Sequence, residues 1–266
     1  MARHQWEHLP SETREAVTAR GGPISFVEHA TTGSVADFAA TLTTAIGRIF
    51  CKGAELDTAR TGQLRNQIRL NKHLPADLVP RLQWHLERRG WLIAAFDHVP
   101  GRSADLRPGS PDLPAVAAAL SRMTVALTPC PPVNVQPAAA RWGQLLDPAV
   151  LAGNTLLHTD MTHNNFLVSG NRAQVVDWSV PCRGAAWLDT ARMLVRLIRA
   201  GHTPVQVEAW AALMPSWQNT TSQALDAFAG ALAKLSRRLR DTTAAPHLAD
   251  MADAADTWLR YRLHSR

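Results

Sequence analysis

One segment in the second half of the chain, residues 156–178, restricts the possible folds more than any other. Apolar residues 156–157 precede a polar loop, and a second apolar run follows at residues 166–168. Residues 169–171, with the sequence Ser-Gly-Asn, then form a tight-turn signal, and the next apolar run ends at Asp177. The pattern predicts a strand, a polar loop and a hairpin that ends at a carboxylate, which excludes an all-helical fold.

The rest of the chain divides into a β-rich part and a helical part. Strand-like runs with turn residues between them dominate the first hundred residues, and apolar stripes with a period of 3.6 dominate the remainder. We therefore predict an α+β fold, with a β-rich lobe over residues 1–98 and a larger, mainly helical lobe over residues 99–266. The predicted strands are Ile24–His29, Ala36–Thr43, Gly47–Lys52 and Trp91–Phe96, and the predicted helices are residues 11–20, 58–74, 114–127, 187–200, 204–214, 222–240 and 246–264.

The polar loop carries three residues in a chemically informative order. His158, Asp160 and Asn165 follow the spacing H-x-D-x-x-x-x-N, which is that of the kinase catalytic loop. Phosphoryl transfer needs a carboxylate that orients the attacking hydroxyl, and hard oxygen ligands that hold Mg²⁺ against the phosphates. The hairpin is expected to bring Asn165 near Asp177, and Lys52 can supply a cation for the phosphates. The residues thus indicate phosphoryl transfer, although His158, Asp160 and His163 could also bind a transition metal.

Charge and cysteine content restrict the classes of binding partner and the cellular compartment that we expect. The formal net charge is +6 and the sequence pI is about 10.0, which favours anionic partners such as nucleotides. The basic residues are scattered without aromatic residues between them, so we expect no nucleic-acid partner. Three distant cysteines without a CxxC motif indicate a reducing cytoplasm. The chain shows neither a signal peptide at its start nor an apolar run of about 18 residues, so no membrane association is expected.

These motifs resemble those of the aminoglycoside phosphotransferase family, whose members are protein-kinase-like small-molecule kinases. The resemblance covers nearly all of the chain and implies a bilobal kinase-like fold. The matching segments are Gly47–Lys52 (the strand that bears the lysine), Asp97–Arg102 (the hinge), His158–Asn165 (the catalytic loop), Val176–Trp178 (the family's I-D-W) and Gly184–Ala191 (the family's G-D-P-x-x-D-L-A).

The resemblance also implies a role for each matched residue. The turn Thr32-Gly33-Ser34 would cover the phosphates with backbone N–H groups, and backbone groups of Asp97, His98 and Val99 would pair with the purine of ATP or GTP. The side chains with implied roles are Asp160 as catalytic base, His158 and Asp189 as supports of its loop, Asn165 and Asp177 as Mg²⁺ ligands, and Lys52 as the contact to the α- and β-phosphates.

Two positions depart from the family pattern. The family places a helix glutamate opposite the strand lysine, and this chain has Gln67 there. Gln67 can accept a hydrogen bond from Lys52 without supplying a countercharge, and Glu55 is a second candidate partner. If Gln67 faces Lys52, the change Gln67→Glu should restore an ion pair and keep or improve nucleotide binding. The phosphate turn is also poor in glycine, since Gly33 is its only one.

The predicted function is transfer of the γ-phosphate of ATP or GTP to a hydroxyl group of a small molecule. The resemblance implies an antibiotic or related natural product as acceptor, in resistance or self-protection, but the family also includes kinases of choline, homoserine, sugars and macrolides. Residues 201–266 are not strongly acidic, so a neutral acceptor competes with a polycationic aminoglycoside. A pseudokinase that binds a nucleotide or a partner without turnover is the alternative from another class, and the net charge alone supports a nucleic-acid-binding module.

Overall fold

A computed structural model describes residues 3–31 and 36–264. The predicted phosphate turn, with Gly33 and Ser34, lies outside these residues. The chain forms two compact units. The first consists of Met1–Arg102 and Gln174–Val180, and the second of Ser103–Ala173 and Pro181–Arg266. The short stretch around Asp177 therefore belongs to the first unit, although it follows 71 residues of the second in the chain. The predicted lobes, 1–98 and 99–266, stay a prediction.

The first unit is built on a five-stranded antiparallel sheet. Its strand order is β1-β2-β3-β5-β4, so β3 is the central strand. Helix α1 precedes the sheet in the chain, and helix α2 connects β3 to β4. The elements are α1 (Ser11–Gly21), β1 (Ile24–His29), β2 (Phe38–Thr44), β3 (Gly47–Glu55), α2 (Ala59–Asn71), β4 (Leu82–Arg88) and β5 (Trp91–Asp97).

The alternation of side chains along β3 decides where Lys52 points. Ile49 and Cys51 belong to a buried cluster on one face of the sheet, while Ala54 packs with Leu64 of α2 in a cluster on the other face. Successive side chains of a strand point to opposite faces. Lys52 therefore shares the face of Ala54 and is directed toward α2.

The second unit is mainly helical. Its helices are α3 (Leu113–Ala126), α4 (Ala138–Trp142), α5 (Pro148–Leu151), α6 (Leu188–Arg199), α7 (Pro204–Ala211), α8 (Pro215–Gln218), α9 (Ser222–Thr242) and α10 (His247–His264). Its strands form two small sheets, with the orders β10-β7 and β6-β8-β9. These strands are β6 (Arg102–Ser103), β7 (Thr155–Leu157), β8 (Phe166–Ser169), β9 (Arg172–Val175) and β10 (Cys182–Gly184), and the unit boundaries fall inside β6 and β9.

The predicted fold class is confirmed. The N-terminal part is a sheet with two helices, and the C-terminal part is mainly helical. Residues 24–29 form the predicted strand, and residues 166–175 form the predicted hairpin, with Gly170 in the left-handed region (φ 58°) at its turn. Strand β4 was not predicted, because its alternation of apolar and polar residues includes charged side chains. None of the helices within the described ranges is both long and apolar enough to span a membrane.

Candidate active site

Three polar side chains of the first unit form a closed cluster on the α2 face of the sheet. The Lys52 ammonium donates to Gln67 Oε1 at 2.9 Å and lies 3.1 Å from Asp177 Oδ1. Gln67 Nε2 donates to the same Asp177 oxygen at 2.9 Å. The lysine and aspartate side chains are 13% and 14% exposed, and Gln67 is buried. The cluster therefore joins a cation, an amide and a carboxylate in a partly dehydrated environment, where their interactions are stronger than in water.

Gln67, rather than Glu55, is the side chain that contacts Lys52. Glu55 is three residues from Lys52 along β3, and its side chain therefore points to the opposite face of the sheet. There its carboxylate lies 3.2 Å from His4 Nε2. Gln67 lies three residues after the buried Leu64 of α2, so both side chains are on the helix face that packs against the sheet.

The amide of Gln67 forms a hydrogen bond through its oxygen and another through its nitrogen, which changes the expected effect of a glutamate at this position. A glutamate could still accept from Lys52, but it would place a second carboxylate where Nε2 now donates to Asp177. We therefore expect Gln67→Glu to lower the stability of the nucleotide-free protein by about 1–3 kcal/mol. The improved nucleotide binding that the sequence suggested for Gln67→Glu took account of the contact with Lys52 only.

Thermal unfolding of the nucleotide-free protein tests this expectation. Gln63→Glu, one helical turn earlier on α2, is the matched control and should unfold near the parent temperature. A Gln67→Glu protein that is as stable as the parent would show that the amide does not bridge Lys52 and Asp177.

Asp177 adopts a backbone conformation that few residues other than glycine favour. Its φ is 67°, in the left-handed region, where aspartate and asparagine are enriched among non-glycine residues. Neighbouring contacts hold the segment: Ser179 N donates to Asp177 O at 2.8 Å, and Asn66 Nδ2 of α2 donates to Ser179 O at 3.0 Å. Among the described residues, Asp177 Oδ2 accepts no hydrogen bond. The carboxylate thus keeps one oxygen for a hard cation such as Mg²⁺.

The predicted hinge leaves β5 with unused backbone groups. Asp97 is the last residue of β5, and its N–H donates to Arg81 O at 2.8 Å, so that donor is occupied. Within the described ranges, no backbone hydrogen bond involves His98 or Val99. Their N–H and C=O groups can pair with a planar base. His98 and Val99 are therefore better candidate contacts than the N–H group of Asp97, which is already bonded.

In the second unit, Asp189 holds the start of the polar loop. The buried Asp189 carboxylate accepts from His158 N at 2.8 Å through Oδ2 and from Thr159 N at 2.9 Å through Oδ1. Burial raises the pKa of Asp189, while His158, the two backbone N–H groups and Arg192 oppose the shift. Thr159 has φ 67°, which is strained for a β-branched residue. Arg141 donates to the Thr159 hydroxyl, so contacts from two elements hold this conformation.

We expect Asp189→Asn to loosen this loop. An asparagine can accept only one of the two backbone hydrogen bonds and turns its own NH₂ toward the other donor, which leaves a buried N–H without a partner. The expected loss of stability is about 1–3 kcal/mol, measured by denaturant unfolding. Asp253→Asn, an exposed position on α10, is the control and should unfold like the parent. Equal stability of the two variants would contradict the bracing role of Asp189.

Asp160 and Asn165 are paired at the centre of the loop. Asn165 Nδ2 donates to the Asp160 backbone O at 2.8 Å and to Asp160 Oδ2 at 3.0 Å. Both partners are acceptors, so the amide can take only one orientation. Asn165 Oδ1 therefore faces away from them, and it accepts no hydrogen bond from the described residues. This oxygen suits a hard cation, and Asp160 Oδ1 is available in the same way for a hydroxyl proton.

His158 supports Asp160 through its ring. The Asp160 N–H donates to His158 Nδ1 at 3.2 Å, so the ring holds the backbone of the residue that carries the carboxylate. His158 is fully buried, which suits a structural role in the loop. Within the described ranges, no group of three or more His, Cys, Asp or Glu side chains is placed to hold a metal ion.

Sequence reasoning missed several arginines of the second unit that lie near the loop. Arg141 contacts Thr159, and the electrostatic field of Asp160 raises the pKa values of Arg192 and Arg196 against the lowering effect of burial. The spacing of Arg192, Arg196 and Arg199 on α6 was a readable signal, because it places all three on one helix face.

Comparison with known proteins gives a match in structure but not in sequence. No family model and no curated protein matches the chain. The crystal structure of aminoglycoside phosphotransferase APH(4)-Ia matches with a TM-score of 0.64 at 14% identity, over 94% of this chain and 98% of that one. Choline kinase LicA from Streptococcus pneumoniae matches with a TM-score of 0.61 at 12% identity, over 95% and 99%. A thermostable APH(4)-Ia mutant in ternary complex with ADP and hygromycin B matches with a TM-score of 0.55 at 12% identity, over 94% and 98%. The chain therefore has the fold of these small-molecule kinases, as the sequence motifs predicted.

Proposed function

We propose that this chain is a Mg²⁺-dependent phosphotransferase that moves the γ-phosphate of ATP or GTP to a hydroxyl group of a small molecule. The observation that carries the proposal is the Asp160–Asn165 pair, in which one carboxylate oxygen and one amide oxygen accept no hydrogen bond from described residues. Two of the structural neighbours are an aminoglycoside phosphotransferase and a choline kinase, and one neighbour complex holds ADP and hygromycin B.

In the proposed reaction, the acceptor oxygen forms a bond to the γ-phosphorus while the bond from that phosphorus to the β,γ-bridging oxygen breaks. The acceptor proton passes to Asp160 and then to solvent, and a nucleoside diphosphate leaves. His158 and Asp189 hold Asp160 in place. The reaction is proposed to take place in the cytoplasm.

The first unit supplies groups that suit the nucleotide. Lys52 would contact the α- and β-phosphates, Gln67 would orient Lys52, and His98 and Val99 would pair with the purine through backbone groups. Asn165 and Asp177 are the proposed Mg²⁺ ligands, since each has an oxygen that no described residue uses. When bound, Mg²⁺ neutralises charge that develops on the phosphates.

Two measurements on the purified chain test the proposal. Calorimetric titration with a non-hydrolysable nucleotide and Mg²⁺ should give saturable binding that Lys52→Met weakens. Incubation with ATP or GTP and a panel of hydroxylated antibiotics, sugars, choline and homoserine should then yield an acceptor with one added phosphate, detected by mass spectrometry. No binding of either nucleotide would contradict the proposal.

The alternative is a pseudokinase that binds a nucleotide without turnover. Its motivation is Gln67, which replaces the countercharge of Lys52 with a neutral amide. Saturable nucleotide binding with no transfer to any acceptor of the panel, and with no effect of Asp160→Asn on nucleotide hydrolysis, would favour this alternative.

A further inference from the structure

One face of α6 runs along the polar loop and carries mostly positive charge. Asp189 at its start binds the backbone of His158 and Thr159, and Arg192, Arg196 and Arg199 follow at spacings of three, four and three residues. Residues at these spacings lie on the same helix face. The loop that contains Asp160 is therefore lined by an aspartate that holds the loop and by three arginines, which we call the arginine face.

A cavity of about 300 Å³ lies between this face and the loop, entirely within the second unit. Thr162 and His163 of the loop form part of its wall, and Arg196 and Arg199 form another part. Its volume suits a small molecule at the lower end of the usual range. The position next to the loop makes it a candidate acceptor site.

The charges around the cavity do not balance. Arg107 is paired with Asp105 at 2.7 Å, and Arg199 with Asp250 at 3.5 Å. Arg196 has no acidic partner within ion-pair distance among the described residues, and its Nη1 contacts Met251 Sδ at 3.1 Å. One guanidinium of the wall thus forms no ion pair, and Asp160 acts on it only through its longer-range field.

Arg192, one helical turn before Arg196 on α6, also lacks an acidic partner at ion-pair distance among the described residues. Its guanidinium stacks over the buried Trp142 ring, 5.3 Å from the centroid, and its Nε is buried without a hydrogen-bond partner. The pKa of Arg192 is lowered to about 10, mainly by burial and also by Arg196 and Arg141, while Asp189 and Asp160 oppose the shift. Such neighbouring, partly dehydrated cations repel one another, and an oxyanion between them would relieve the repulsion.

We propose that the acceptor carries an oxyanion, a carboxylate or a phosphate group, which Arg196 binds in this cavity next to the loop of Asp160. Arg192, one helical turn earlier on α6, adds positive charge behind this site. Arginine pairs with carboxylates and phosphates through two parallel hydrogen bonds, so it fixes orientation as well as charge. Polycationic aminoglycosides and the choline cation would be repelled from the same wall. The inference rests on the proposed function, because it names the substrate class of that reaction.

Binding of inorganic phosphate tests the site directly. Calorimetric titration at constant ionic strength should show saturable binding to the parent, weakened about tenfold or more in Arg196→Gln and Arg192→Gln. Arg238→Gln, an exposed arginine of α9 in the same unit, is the matched control and should bind like the parent. Lys52→Met removes the proposed phosphate contact of the first unit, and the binding that depends on Arg196 should persist in it, which separates the two sites.

Four results would overturn the inference: no saturable phosphate binding, parent-like binding in both arginine variants, equal weakening in Arg238→Gln, or complete loss in Lys52→Met. Thermal unfolding monitors the fold of each variant. If the glutamine variants do not fold, Arg196→Lys keeps the charge but loses the two-pronged geometry, and it should weaken phosphate binding by a smaller factor.

A second arm tests the acceptor class by mass spectrometry. Gluconate and glycerol 3-phosphate are compared with their uncharged counterparts, glucose and glycerol, and with kanamycin as a polycation. We expect transfer to favour the anionic members, and the two anions distinguish a carboxylate site from a phosphate site. Transfer that favours glucose, glycerol or kanamycin would contradict the inference and leave the proposed function intact. Absence of nucleotide binding would contradict the proposed function and leave the phosphate titration valid.

Discussion

Replacement of Asp160 by asparagine is expected to lower phosphate transfer by roughly two to four orders of magnitude, which is the usual contribution of a positioned general base. The change keeps the size of the side chain and an oxygen that can accept from Asn165 Nδ2. It removes the negative charge that would orient the acceptor hydroxyl and take its proton. Asn165 also keeps its second contact, to the backbone oxygen of residue 160, so the loop should keep its shape.

Nucleotide affinity separates this effect from a loss of fold. Lys52, Gln67 and Asp177 belong to the first unit and are unchanged, so we expect the affinity for a non-hydrolysable nucleotide to stay within a few-fold of the parent. Transfer and affinity are measured on the same purified variant. Asp241→Asn, an exposed position on α9, controls for the substitution itself and should transfer at the parent rate. Transfer by Asp160→Asn at the parent rate would remove Asp160 from the mechanism.

Replacement of Asp177 by asparagine should reduce Mg²⁺-supported transfer by about three orders of magnitude, since metal-ion charge stabilisation contributes several kcal/mol. Asparagine is the appropriate replacement because it tolerates the left-handed backbone of this position, whereas alanine would add strain there. The variant keeps an oxygen for Lys52 and Gln67 but loses the charged ligand. The loss therefore reports on the metal rather than on packing.

The effect of Mg²⁺ on nucleotide affinity gives a more specific test of Asp177. Without the metal, the Asp177 carboxylate repels the nucleotide phosphates, so Asp177→Asn should bind metal-free nucleotide at least as tightly as the parent. Addition of Mg²⁺ should strengthen binding to the parent and have little effect on the variant, as measured by calorimetry. Asp57→Asn is the matched control, because Asp57 is an exposed aspartate of the same unit with φ 64°. An unchanged Mg²⁺ response in Asp177→Asn would reject Asp177 as a metal ligand.

The sequence by itself determined most of the elements and the order of the candidate residues. Strand-like runs between turn residues predicted β1 and β3, and the 3.6-residue period predicted α6 and α9, because these patterns are local properties of the chain. The spacing from His158 to Asn165 and the following hairpin were also readable. The structure then put Asp160 and Asn165 in contact, and it put Asp189 against the loop backbone.

Only the tertiary structure decided which partners these residues have. From the sequence, both Gln67 and Glu55 were candidate partners of Lys52. Gln67 is the partner because Glu55 points to the opposite face of β3 and because α2 packs the face that carries Gln67 against the sheet. The sequence could not show that Gln67 also contacts Asp177, because the two residues are 110 positions apart. In the same way, the arginine spacing on α6 was visible in the chain, but the loop and cavity that this face covers depend on packing between distant segments. Local patterns fix the direction of a side chain within its own element, and long-range packing fixes what that side chain meets.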